Sequence, residues 1–114
     1  GASLAIEIAL RLPFAIGGIV PIVGFINFKV VLANEATEES KNTPVLLLHG
    51  NQDEIIHVTA SEKAHDFFKE RGNPVYFKRY DGGHKIPKRT GPIVKSFISD
   101  SFNFFRLNSS DSLN

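Results

Sequence analysis

The 114-residue chain contains no cysteine, no methionine and no tryptophan. Without cysteine there are no disulfides and no thiolate metal sites, which is compatible with a reducing compartment, and a cytoplasmic location is the expectation. Methionine is missing even at position 1, where Gly1-Ala2-Ser3 leads straight into an apolar helical pattern. With neither an initiator nor a basic leader ending in a cleavage site, this reads as an internal start. Charge of one sign is lacking too: 13 basic against 12 acidic residues leave a net charge of +1. No nucleic-acid footprint is expected, nor steering of a polyanion. The one long apolar run, residues 14–33, is interrupted by Gly17, Gly18, Pro21, Gly24, Asn27 and Lys29. It is not expected to insert stably in a membrane, and its 16–23 portion has the length of a buried strand. No internal repeat is present, so function must come from a local site.

The apolar spacing predicts an α/β chain. Leu4, Ala5, Ile8, Ala9 and Leu12 recur with helical period over about 2–12, with Glu7 and Arg11 paired on the other face and Pro13 as the stop. Strands are predicted at about 16–23, 44–49 and 75–80. In the first, Pro21 removes a ladder donor and argues for an edge or a bulge. Between them, 24–42 reads as a long connection with a polar second half, either a surface excursion or a loop over a binding cleft. Residues 59–71 form the clearest helix, stopped by Gly72, and 91–106 a closing one with Ile93, Val94, Phe97, Ile98, Phe102, Phe105 and Leu107 on its apolar face. Strand 75–80 is expected near the sheet edge, its long basic side chains in water. Helix, strand, loop, strand, helix, strand, helix is the order of a parallel sheet with crossover helices. The domain is assigned to residues 1–107, and 108–114 to a polar tail expected to be disordered. Three strands are few for an α/β enzyme, so the chain reads as part of a larger domain.

Two strings carry chemistry: Leu46-Leu47-Leu48-His49-Gly50-Asn51-Gln52-Asp53 and Tyr80-Asp81-Gly82-Gly83-His84. Each sets one ionisable side chain in a glycine-containing loop after an apolar run. A carboxylate followed by an imidazole is the order that Ser-His-Asp hydrolases of the α/β type use after their serine. The other reading keeps Gly50 and Gly82-Gly83 as tight turns and Asp53 as a helix cap. His49 ends a buried strand and reads as a hydrogen-bonded structural residue, while His57 and His65 are placed on the surface, His65 on the solvent side of its helix. No His pair has metal-ligand spacing, and no metal or cofactor is expected. Ser3, Ser61 and Ser96 are only formal nucleophiles, with Ser3 expected to point along its helix and away from the Asp and His loops.

These strings resemble the acyl-protein thioesterase group of the phospholipase/carboxylesterase family, serine hydrolases of the α/β-hydrolase fold. Gly1-Ala2-Ser3-Leu4-Ala5 is similar to the helix that follows the family's Gly-Phe-Ser-Gln-Gly elbow. Gly18-Ile19-Val20-Pro21-Ile22-Val23-Gly24-Phe25, the stretch from Thr43-Pro44 through Asp53 to Val58, and Tyr80-Asp81-Gly82-Gly83-His84 resemble later family motifs. The resemblance covers about residues 1–105. It implies that the chain is the C-terminal half of an α/β-hydrolase, with Asp53 as triad carboxylate and His84 as general base. The serine nucleophile and the glutamine after it match no residue here, the serine being expected just before Gly1. His57 stands where the family has proline, and the Asp-Gly-Gly-His turn is one residue tighter. Implied partners are an acyl ester or acyl thioester substrate and the missing N-terminal segment of the same domain, with a homodimer left open. The implied activity is that of the full-length parent, the 114 residues alone being inactive. The competing expectation is a non-catalytic fragment or a degenerate binding domain.

Overall fold

A computed structural model of the chain describes residues 2–108. Two parallel strands, β1 (Val45–Gly50) and β2 (Val75–Tyr80), pair in register from Val45 opposite Val75 to Gly50 opposite Tyr80. The connection between them carries helix α3 (Thr59–Arg71), as a parallel pair requires. Helices α1 (Ala2–Ala9) and α2 (Lys29–Glu35) precede the sheet, and α4 (Gly91–Ser99) and α5 (Ser101–Leu107) follow it.

β1 is buried along its whole length because both faces of the sheet are covered. Side chains alternate across a strand, so Val45 and Leu47 join Ile6, Leu10, Leu32, Ala64, Phe68, Val75 and Phe77 on one face. Leu46 and Leu48 join Tyr76, Tyr80, Phe97 and Phe104 on the other. Each fully buried leucine contributes about 2 kcal/mol.

The predicted strand at 16–23 is not one. Isolated parallel bridges link Ile19 to Val45 and Ile22 to Leu48 along the other edge of β1. The Ile19 N–H donates to Pro44 O at 3.0 Å, the Leu46 N–H to Ile19 O at 3.0 Å, the Leu48 N–H to Pro21 O at 3.1 Å, and the Val23 N–H to Leu48 O at 2.9 Å. A continuous ladder needs one more donor, at position 21, and proline has none. Among the described residues the sheet therefore has two strands where the sequence pattern predicts three.

Other boundaries also move. The first helix ends at Ala9, and its last turn tightens as the Arg11 N–H bonds to Ile8 O. The connection at 24–42 contains α2 and a 3₁₀ turn at Glu39–Asn42. The closing helix divides at Asp100, whose φ of −161° is extended and whose carboxylate accepts from the Asn103 N–H at 3.0 Å, capping α5. The break ends the single apolar stripe: Phe97 and Phe104 are buried with their rings edge to face, while Ile98, Phe102 and Leu107 are exposed. Arg79 does not extend into water. It pairs with Glu62 and lies over the Phe77 ring.

His65 is a further correction. Positions 61, 64, 65 and 68 form the buried stripe of α3, and His65 is only 4% exposed, facing Phe77 with its Nδ1 3.1 Å from Asp66 Oδ1. The helical period already includes it, and an imidazole can be buried when its polar edge is met. Gly72 ends α3 at φ +94°: its N–H bonds to Lys69 O and the Asn73 N–H to Phe68 O, the paired bonds of a left-handed helix stop. Of the tail, Asn108 bonds back to Phe104 O at the end of α5; residues 109–114, like Gly1, lie outside the described residues. Among the described residues no helix is long and apolar enough to cross a membrane.

Candidate active site

The two strands end level, Gly50 beside Tyr80, so the loops that follow leave the sheet side by side at its C-terminal edge. Ligand sites of open parallel sheets gather at that edge. The loops are in backbone contact: the Asn51 N–H donates to Tyr80 O and the Gln52 N–H to Gly82 O, each at 3.0 Å. A Cβ on Gly50 would stand 2.3 Å from Gly83 O and 2.5 Å from Gly82 O, so only glycine allows this approach.

The approach brings Asp53 and His84 together. Asp53 Oδ2 lies 2.9 Å from His84 Nδ1, with the carboxylate side chain fully buried and the imidazole 46% exposed. Asp53 Oδ1 accepts from the Ile55 and Ile56 N–H groups, both at 2.9 Å. One oxygen thus folds the local turn and the other holds the imidazole; the helix-cap reading of Asp53 is not met, since α3 begins after Val58 without a side-chain cap.

Burial, the largest single influence on the Asp53 carboxyl, pushes it up. The Ile56 N–H, the His84 imidazole and the Ile55 N–H outweigh it and hold the group below the usual carboxylate range. It is ionised at neutral pH and accepts from His84 Nδ1–H. That fixes the tautomer and leaves Nε2 as the basic nitrogen.

A second imidazole lies on the buried side. His49 Nε2 is 2.7 Å from Ile56 O and 3.5 Å from Asp53 Oδ2, and its Nδ1 is 2.6 Å from Ser61 Oγ, which also reaches Gly24 O at 3.1 Å. His49 is fully buried. It ties the end of β1 to the Asp53 turn, to α3 and to the segment after Val23, the structural place its strand-end position indicated.

His84 opens on a cavity of about 400 Å³ lined by Ala2, Ser3, Ile22, Val23, Phe25, Ile56, His84 and Ile86. Ser3 lines the same cavity as His84, and its hydroxyl donates to Phe25 O at 2.8 Å. That bond commits its proton to a carbonyl instead of the imidazole. Sequence reasoning also missed Val23, whose φ of +57° is strained for a β-branched residue. The apolar wall was partly legible in Ile55-Ile56, but nothing local shows that residues so far apart in sequence share one cleft. His57 is exposed, as expected, with its Nδ1 accepting from the Thr59 N–H at 3.2 Å. Among the described residues no cluster of three or more His, Cys, Asp or Glu side chains has the geometry to hold a metal ion.

A buried carboxylate holding an imidazole at the C-terminal edge of parallel strands is an arrangement that α/β-hydrolases use. The chain belongs to the Phospholipase/Carboxylesterase family, which it matches over residues 1–102. It is 32% identical over 99 residues to carboxylesterase SOBER1 of Arabidopsis thaliana, covering 86% of this chain and 43% of that protein. It is 31% identical over 70 residues to acyl-protein thioesterase 1 of Saccharomyces cerevisiae, covering 61% of this chain and 31% of the relative. The crystal structure of Arabidopsis SOBER1 superposes with a TM-score of 0.80 at 31% identity, over 86% of this chain and 47% of that one. The chain thus spans less than half the length of these relatives.

Proposed function

We propose that Asp53 and His84 are the carboxylate and general base of a serine hydrolase that cleaves carboxylic esters or acyl thioesters. The carrying observation is the 2.9 Å bond between a buried, ionised Asp53 and the Nδ1 of a half-exposed His84 that lines a cavity. The catalytic serine, on this reading, comes from a segment outside residues 1–114, in a protein of the relatives' length. Its hydroxyl gives its proton to His84 Nε2 as its oxygen attacks the substrate carbonyl. Asp53 stabilises the imidazolium, which returns the proton to the departing alcohol or thiol. Water then attacks the acyl-enzyme by the same route and restores the serine. Phe25, Ile22, Val23, Ile56 and Ile86 form an apolar wall suited to an acyl chain.

Fluorophosphonate labelling tests this reading. The longer protein is expected to label and residues 1–114 alone are not. His84→Ala in the longer protein should lower labelling about 10³-fold or more, and Ser3→Ala should leave it intact. Absence of labelling in both forms, or full labelling of the His84→Ala protein, overturns it.

A further inference from the structure

The His84 cavity is the first of three that adjoin. The second, about 340 Å³, shares Phe25 and Ile56 with it and adds Ile26, Lys29, His57, Thr59, Ala60 and Lys63. The third, about 520 Å³, shares Ile26, Lys29 and Lys63 with the second and continues past Phe28, Val30 and Val31. Phe28 and Val30 are 72% and 75% exposed, a high exposure for apolar side chains flanking a cleft.

Charge along this path is one-sided. No Asp or Glu lines any of the three cavities, whereas Lys29 and Lys63 stand where the second meets the third. Neither lysine makes an ion pair among the described residues, whereas Arg11, Lys41 and Arg79 each have an acidic partner. Adjoining cavities that share apolar walls, with His84 lining the first and Lys29 and Lys63 lining the second and third, are complementary to an amphiphile with a negative far end.

We propose that the groove selects esters or thioesters whose chain carries an anionic group, carboxylate or phosphonate, at the end remote from the reacting carbonyl. The carbonyl sits at His84, the methylene chain lies against Phe25, Ile56 and Ile26, and the anion meets Lys29 and Lys63. This rests on the proposed role of His84 and extends it to substrate choice. Both lysines are exposed, so each contributes modestly: an exposed pair is worth about a twofold change in affinity, and two together about fourfold.

Amide NMR titration of the 114-residue chain measures the binding without needing turnover. The probes are monomethyl suberate, a phosphonate-terminated methyl ester of equal length, and neutral dimethyl suberate. The expected result is that both anions shift the Phe25, Ile56 and Lys63 amides and bind about fourfold more tightly than the diester at low ionic strength. The preference should vanish near 1 M salt, where the screening length is about 3 Å. Their relative affinities tell a carboxylate site from a phosphonate site. The double variant Lys29→Gln/Lys63→Gln should bind all three probes alike, Lys63→Glu should favour the diester, and Lys95→Gln on α4 should leave the order unchanged. Equal binding of charged and neutral esters by the natural chain, or no binding of any probe, overturns the proposal. Loss of labelling in the longer protein with the anion preference intact instead removes the hydrolase reading and leaves the groove's selectivity standing.

Discussion

The backbones of Gly50 and Gly83 pack so closely that a Cβ at position 50 would lie 2.3 Å from the Gly83 carbonyl oxygen. This contact, between the end of β1 and the loop after β2, sets the separation of Asp53 and His84. Gly50→Ala must therefore push the two loops apart. A destabilisation of about 2 kcal/mol or more is expected by chemical denaturation, since backbone atoms cannot yield as a flexible side chain does. The His84 ring resonances should move toward those of an unpaired imidazole. Unchanged stability together with an unchanged His84 spectrum would show that the loops separate freely.

Ionised Asp53 stabilises the fold in a defined pH window. Its carboxyl titrates lower in the folded than in the unfolded chain, where an aspartate titrates at about 3.9. The unfolded state then binds more protons across that interval, so stability rises with pH there. The contribution is fully present above the unfolded value and is lost as pH falls through the depressed folded one. Asp53→Asn should flatten this part of the stability profile below about pH 5, as followed by urea denaturation at a series of pH values.

His49 and Ser61 act as one unit. His49→Ala removes contacts to Ser61 Oγ and Ile56 O and opens a buried cavity, for an expected loss of about 3 kcal/mol. Ser61→Ala leaves the imidazole Nδ1 and Gly24 O without that hydroxyl, for a loss of about 1–2 kcal/mol. The double variant should lose less than the sum, because the second change removes a partner already orphaned. Strict additivity in the denaturation free energies would separate the two residues.

Val23 holds a left-handed backbone at φ +57° on the cavity wall. Asparagine adopts that conformation with much less strain, so Val23→Asn is expected to stabilise the chain by about 1 kcal/mol, seen as a rise in Tm. A fall in Tm would mean that the apolar contacts of Val23 outweigh the strain.

Much was legible in the sequence because it depends on neighbours in the chain. Val45–Gly50 and Val75–Tyr80 declare themselves as strands by apolar and alternating runs, 59–71 as a helix by period, and Gly72 as its stop. Asp53 and His84 stand out because each follows a strand and a glycine, and a loop position just past a strand end is a local property. The long-range outcomes were not legible. Whether 16–23 completed a strand depended on one rung that Pro21 could not supply to β1. The closing helix divided because Asp100 took up an extended backbone and capped the next helix. The sequence by itself thus determined which residues carry an acid and a base and that each would sit beyond a strand. Only the tertiary structure decided that they meet at 2.9 Å, that His49 lies behind them, and that Ser3, Phe25 and Ile56 share their cleft. The physical reason is that parallel register and the close passage of two glycine loops join residues far apart in the chain, and no local pattern encodes that distance.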